Sequence, residues 1–344
     1  MAATARPRAL FIAGSLNQTT QLHAVARELT ECETRFTPFY GDVTVTVMRR
    51  LGLLEATIGG DKRRRWCLEY LHDHQLAVDL DGREGPYDLV VTCTDLVVPR
   101  NVRGAGLVVV QEGILDPMGL TAHVCKRLRL LPRWFAGTAL TGQSGLFDRF
   151  CVASQGYKDF FVEHGVAPRK VAVTGIPNFD DCRRFTVNTF PHHGYLLVCT
   201  SDARETLKRD DRTALVRRAL DLARGRRVIF KLHPNEGQAR AEEIRALAPG
   251  ALVYASGSAE EMIANADIVL TQWSSTAFTA LALGKEVYSH FSSEELQRLL
   301  PIQNGGRSGG NIARVCREVL AANRPSSILP LLTPVRLVAS DAIA

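Results

Sequence analysis

Three groups of residues in this chain have types and spacings that could do chemistry. Ser274, Ser275 and Thr276 stand where an apolar, β-branched run at 268–271 gives way to a small-residue helical pattern at 277–283, stopped by Gly284. The first backbone N–H groups of a helix have no internal partners, and the helix dipole is positive there. Hydroxyls added at that point make a cradle for a phosphate. The same residue types also serve as ordinary N-caps, and both readings stand on these residues alone. The second group, Phe230-Lys231-Leu232-His233-Pro234-Asn235-Glu236, runs out of another apolar strand. The third is Glu112 with Gly113, directly after the run GLVVVQ at 106–111. Enzymes with parallel sheets place working groups just beyond the carboxyl ends of their strands. The alternative role for Glu112 is to cap the segment that follows.

The elements that must position these groups follow from hydrophobic periodicity. Residues 9–14 (ALFIAG) read as a buried strand ending in Gly14 and Ser15, and a helix follows over 18–29. A strand that ends in glycine before a helix opens a Rossmann-like unit. The full Gly-x-Gly-x-x-Gly fingerprint is absent, so a dinucleotide site is not supported. His23 lies on this first helix. Further strands are expected at 35–40, 87–92, 106–111, 148–153 and 171–174. Residues 42–75 are expected to be helical, with Lys62, Arg63, Arg64 and Arg65 on a solvated face. Residues 178–193 lack periodicity and read as a linker. The alternation then restarts, with strands at 195–200, 227–232, 251–254, 268–271 and 286–289, and a helix at 312–321 after a glycine-rich turn. The expected fold class is α/β, with two Rossmann-like, doubly wound domains facing across a cleft. The expected division is an N-terminal domain at 1–177, a linker at 178–193, a C-terminal domain at 194–322 and an extension at 323–344.

Composition narrows the partners. A chain of 344 residues suits two domains. A hydrophobic fraction of 46% and a charged fraction of 23% are ordinary for a water-soluble fold. No apolar run reaches the ~20 residues that span a bilayer, and the N-terminus lacks a signal-peptide core, so a cytoplasmic location is expected. The eight cysteines include no Cys-x-x-Cys pair, so neither a zinc site nor a redox pair is indicated. A formal net charge of +6 favours anionic partners. No nucleic-acid-binding motif is visible, so nucleic acid is not among the expected partners. Residues 120–135 are basic and amphipathic. They read either as a peripheral contact with the inner face of a membrane or as a surface helix packed on its own sheet.

Two segments carry a resemblance. Lys231-Leu232-His233-Pro234 after a strand, and the block from Asp267 through Lys285 (DIVLTQWSSTAFTALALGK), together resemble the GT-B superfamily of nucleotide-sugar glycosyltransferases. Within it they are most similar to the group containing CDP-glycerol glycerophosphotransferases, bacterial sialyltransferases and capsule polymer transferases. The resemblance is firm over 228–289 and architectural elsewhere. It implies an N-terminal acceptor domain and a C-terminal nucleotide-donor domain. It implies that His233 neutralises charge on the leaving phosphate, and that Ser274, Ser275, Thr276 and Lys231 hold that phosphate. Gly14, Ser15, Gly113, Pro234 and Asn235 would complete the cleft. No metal and no cofactor are implied, and the nucleotide-sugar is a co-substrate.

The same group carries an acidic-acidic-glycine motif whose carboxylate is the general base. Here it reads Gln111-Glu112-Gly113, and glutamine cannot act as a base. Either Glu112 takes the role or the base lies elsewhere, with His23 the substitute. The implied reaction is metal-independent, inverting transfer of a sugar or alditol phosphate to a hydroxyl of a glycan or lipid-linked acceptor. Residues 171–175 (VAVTG) and His233-Pro234-Asn235 also look like UDP-N-acetylglucosamine 2-epimerases. Against that family stand Gly14-Ser15-Leu16-Asn17-Gln18 in place of its Gly-Thr-Arg-Pro-Glu, and Trp-Ser-Ser-Thr in place of its Ser-Gly-Gly. A binding protein that has lost its chemistry is the third reading, kept open by Gln111.

Overall fold

Parallel strands buried on both faces need apolar side chains at every position, and this chain supplies short runs of that kind between helices. The computed structural model describes residues 5–55, 57–114, 141–201 and 210–323. The segment 120–135, read either as a membrane contact or as a packed surface helix, lies outside them, as does the extension beyond Asn323. Six strands, β1 (Arg8–Ala13), β2 (Glu33–Pro38), β3 (Leu89–Thr92), β4 (Gly106–Val110), β5 (Arg149–Val152) and β6 (Val171–Val173), form one sheet in the order β2-β1-β3-β4-β5-β6. Five more, β7 (Leu196–Cys199), β8 (Val228–Lys231), β9 (Leu252–Tyr254), β10 (Ile268–Thr271) and β11 (Glu286–Tyr288), form a second sheet in the order β11-β10-β7-β8-β9. Every strand pair in both sheets is parallel. All the carboxyl ends of a sheet therefore lie along one edge, where the candidate residues were expected.

The region 42–75 forms two helices rather than one, α2 (Val43–Arg50) and α3 (Asp61–Asp73), because the chain turns at Gly52 with φ of 71°. The other helices of the first half are α1 (Leu16–Ala26) and α4 (Gln155–Glu163). Ser154 caps α4 by accepting from the Tyr157 N–H. The second half carries α5 (Arg212–Ala223), α6 (Gln238–Leu247), α7 (Ala259–Asn265), α8 (Thr276–Ala282), α9 (Ser293–Leu299) and α10 (Ser308–Asn323). Among the described residues, no helix is long and apolar enough to cross a membrane.

The second sheet divides its side chains between two layers. Leu196, Val198, Phe230 and Leu270 pack with Val216 and Ala219 of α5 and Ile244 of α6. Leu197, Ile229 and Val269 pack with Ile263 of α7 and Ala280 of α8. The first sheet has a single continuous core, and α10 belongs to it through Ile312, Ala313, Val315, Cys316 and Val319. The last helix of the segment 194–322 thus crosses back and covers the first sheet. Helix α9 also turns back, and Leu296 and Leu299 join the same core. Periodicity identifies such helices or misses them, but it does not say which sheet they cover.

The return is tight. The Ser154 hydroxyl donates to the Leu299 carbonyl at 3.1 Å, and a Cβ placed on Gly156 would come within 2.0 Å of the Arg298 carbonyl oxygen. Backbone cannot yield as a flexible side chain does, so Gly156→Ala is expected to cost about 1–3 kcal/mol through overpacking. Gly104 has no heavy atom within 4 Å of the same construction. Gly104→Ala should therefore change stability by less than about 0.5 kcal/mol. Urea denaturation of the two variants beside the parent checks both values.

Candidate active site

On the first sheet the site begins where β1 ends. Ser15 caps α1, its hydroxyl accepting from the Gln18 N–H at 3.2 Å and donating to Glu112 Oε1 at 2.7 Å. The Gln18 side-chain amide donates to Glu112 Oε2 at 2.6 Å. Both carboxylate oxygens of Glu112 are thus held by the first turn of α1, across the end of β3. Each keeps acceptor capacity for a further donor. Gly14 has to be small here, because a Cβ would come within 2.2 Å of Gln18 Oε1 and displace the amide. Cys93, beyond β3, is fully buried beneath the carboxylate. Burial first, and the Glu112 charge second, push its thiol well above the usual range, so it stays protonated.

Gln111 is buried and has a structural role. Its amide donates to the Gly113 carbonyl at 2.9 Å and accepts from the Ala153 N–H at 3.0 Å. Its own carbonyl accepts from the Gln21 side chain at 2.8 Å. These bonds fix the turn that presents Glu112.

On the second sheet, β8 runs into the tight turn His233-Pro234-Asn235-Glu236, closed by the Glu236 N–H donating to the His233 carbonyl at 2.9 Å. Proline suits the second position of such a turn. The Asn235 N–H donates to His233 Nδ1 at 3.2 Å. In the neutral ring that bond places the proton on Nε2. The His233 N–H in turn donates to Thr200 Oγ1 at 3.1 Å and to Glu236 Oε2 at 2.9 Å.

Beyond β10 lies the hydroxyl turn. Ser274 Oγ accepts from the Thr276 N–H at 3.3 Å and from the Thr276 hydroxyl at 3.0 Å. Ser275 stands at the start of α8 but its side chain makes no capping bond. Trp273, just before this turn, is 46% exposed and rests against His290 and Phe291.

The register sets the spacing within this sheet. Lys231, Cys199 and Thr271 are level across β8, β7 and β10. The His233 turn and the Ser274 turn therefore leave strands separated by one strand, roughly 10 Å apart at ordinary strand spacing. The two sheets meet at Gly113. A Cβ there would lie 3.6 Å from Ser275 Cβ and 3.8 Å from Ser275 Oγ. Gly113, one residue from Glu112, is thus brought against Ser275. His233, Pro234 and Asn235 follow the carboxyl end of β8 in the second sheet.

Two expected residues fall outside this arrangement. Lys231 turns inward at 5% exposure, and Nζ donates to the Leu232 carbonyl at 2.7 Å. Burial lowers its pKa, and it is not presented to a phosphate at the edge. His23 faces away from Glu112: its Nδ1 hydrogen-bonds the Tyr70 hydroxyl at 3.0 Å, and its ring packs edge-on to Phe36 and His74. It does not stand in for Glu112 as the base. Gln18 was missed, although Ser15-Leu16-Asn17-Gln18 has the spacing of a capping box. Among the described residues, no group of three or more His, Cys, Asp or Glu side chains is placed to hold a metal ion.

No family model and no curated protein matches the chain. Solved structures do. UDP-GlcNAc 2-epimerase from Neisseria meningitidis superimposes with a TM-score of 0.54 at 11% identity, over 92% of this chain and 100% of that one. UDP-GlcNAc 2-epimerase from Methanocaldococcus jannaschii gives 0.52 at 14%, over 90% and 99%. The wall teichoic acid polymerase TagF gives 0.51 at 7%, over 92% and 89%. At such identities the likeness is one of fold. The chain has a GT-B-like fold, two parallel sheets covered by helices.

The surroundings of His23 make a prediction about acid. Burial, then the nearby His74 and Arg27, lower its pKa below the usual 6.5. The unfolded chain takes up a proton near 6.5 that the native ring resists, so this contribution is present above that pH and is lost as pH falls toward the lowered value. Denaturation midpoints from about pH 7.5 down to about pH 5 should show stability declining. The decline should be shallower in His23→Gln.

Proposed function

We propose that this protein is a metal-independent, inverting transferase that moves a sugar, or an alditol phosphate, from a nucleotide-activated donor to a hydroxyl of a glycan or lipid-linked acceptor. The observation that carries this reading is the placement of Glu112. A carboxylate gripped by Ser15 and Gln18 lies one residue from Gly113, the point at which Ser275 of the second sheet approaches. Fold neighbours described with UDP-GlcNAc or CDPG bound support a nucleotide-activated donor.

The acceptor O–H donates to Glu112, which takes the proton as the oxygen attacks the activated centre. For a sugar donor, the bond from that centre to the leaving phosphate breaks, and its electron pair departs with the nucleotide. His233 Nε2–H and the hydroxyls of Ser274, Ser275 and Thr276 receive the charge that develops there. A single attacking oxygen and a single base give inversion at the centre. We place the reaction on the cytoplasmic side, where nucleotide-activated donors are at hand. The N-terminal half is assigned to the acceptor and the C-terminal half to the donor.

Titration calorimetry with UDP, CDP, CMP and GDP tests the donor half. At least one should bind the parent protein. His233→Ala should weaken it by about tenfold or more, the worth of a charge-assisted hydrogen bond. Glu112→Gln should leave nucleotide affinity unchanged and lower turnover by about 10²–10⁴-fold. Binding of none of the four by the parent would remove the proposal. Conversion of UDP-N-acetylglucosamine with no acceptor present would favour an epimerase instead. Nucleotide binding without turnover on any acceptor would favour a binding protein.

A further inference from the structure

A buried polar chain runs beneath the edge of the second sheet. Arg212 opens α5 and is 1% exposed. Its Nη2 lies 2.6 Å from Glu236 Oε1 and 3.2 Å from Asp210 Oδ2, and both acidic side chains are fully buried. Glu236 also receives the His233 N–H at 2.9 Å and a close hydrogen bond from the Thr200 hydroxyl. Asp210 also receives the Gln272 side-chain amide at 2.9 Å, and Gln272 Oε1 accepts from the Ser201 hydroxyl at 2.8 Å. The backbone of Gln272 leads directly to Trp273 and Ser274. Polar contacts therefore run from the His233 turn through Glu236, Arg212 and Asp210 to Gln272, two residues before Ser274.

Stability does not explain this chain. Withdrawing charges from water costs several kcal/mol per ion, and apolar residues of similar volume are often as stable or more so. Among the described residues, Arg212 Nη1 is buried with no hydrogen-bond partner, a further cost. What a buried ionic chain supplies that hydrocarbon does not is direction. Each bond fixes an angle as well as a distance, and the two ends here are the two turns assigned to the leaving phosphate.

We propose that Arg212 is a positioning residue, holding the His233 turn and the Ser274 turn at the separation and orientation that one nucleotide phosphate group requires. The proposal rests on the donor site described under Proposed function. Arg212 acts through Glu236 and Asp210 and does not touch the ligand.

The test compares the parent with Arg212→Lys and with the neutralised triple variant Asp210→Asn/Arg212→Met/Glu236→Gln, which leaves no unpaired charge among these three. Two readouts are taken on the full chain. The first is the ¹⁵N signature of the His233 ring, assigned with His233→Gln, which reports tautomer and ring order without any ligand. The second is affinity for whichever of UDP, CDP, CMP and GDP the parent binds best. In the folded triple variant, the His233 signals should move toward those of a tautomerically averaged ring, and Kd should rise about tenfold. Arg212→Lys keeps the charge but not the planar fork, and should show the same changes in smaller measure. A merely structural role would lower the melting temperature and move neither readout. An unchanged ring signature or an unchanged Kd in a folded variant would overturn the proposal. If the triple variant does not fold, Arg212→Lys decides by the same criteria. If the parent binds no nucleotide, the donor reading fails, and the ring signature alone judges the role of Arg212.

Discussion

The packing of one short helix holds the two halves of this molecule in their working relation. Helix α8 is two turns long, and its apolar residues belong to different cores. Ala277 and Phe278 join the core of the first sheet, while Ala280 joins a layer of the second. Phe278 is 1% exposed, and its ring stands edge-on to Tyr157 of α4 and to Phe179 beyond β6, both at 6.3 Å. An aromatic side chain buried to that degree is among the larger single contributions to any core. Because the hydroxyl turn at 274–276 leads straight into α8, anchoring Phe278 in the first core fixes where Ser275 sits. It sits against Gly113, one residue from Glu112. The contact between Gly113 on one sheet and the hydroxyl turn on the other is therefore a consequence of the hydrophobic packing of α8.

The return of α9 and α10 to the first sheet reinforces the same geometry. Residues 308–323 cover β4 and β5, the strands that lead to Gln111 and Ser154, while Asp180 accepts the Ser308 N–H at 2.8 Å. Two crossings now join the halves, one at 178–193 and one at 289–307. A single linker would let the sheets rotate freely. Two crossings, with α8 packed into both cores, tie the sheets together at several points.

Much of this was legible from residues alone, for a physical reason. A parallel strand covered on both faces must be apolar throughout, so each strand appears as an uninterrupted run, and the helices between show their own period. Groups at the ends of such runs lie along one edge, which is why Glu112, His233 and Ser274 could be singled out. Direction was less legible. Lys231 is the last residue of its strand, and strand alternation places its side chain under the sheet rather than at the edge. His23 follows Leu22 on α1 and lies on the flank of the buried face, against Tyr70 from α3, a neighbour that only folding supplies. The Asp210, Arg212, Glu236 and Gln272 chain was invisible because its members come from three stretches far apart in sequence. No spacing along the sequence marks four polar residues as mutual partners.

Gln111 shows how a departure from an expected motif can be a structural requirement. An acid was expected at this position, and its replacement raised the question of whether the site retains a base. The side chain points inward at 1% exposure, with the Gly113 carbonyl as acceptor on one side and the Ala153 N–H as donor on the other. Only a group with one donor and one acceptor satisfies both. An ionised carboxylate would set two oxygens against that arrangement, leaving the Gly113 carbonyl facing another acceptor, a cost of about 1–3 kcal/mol or more for a charged group. It would also place a second negative charge one residue from Glu112, in a place with little water to screen it. The amide holds the same turn without that charge. It leaves Glu112 as the carboxylate of the motif, held by Ser15 and Gln18.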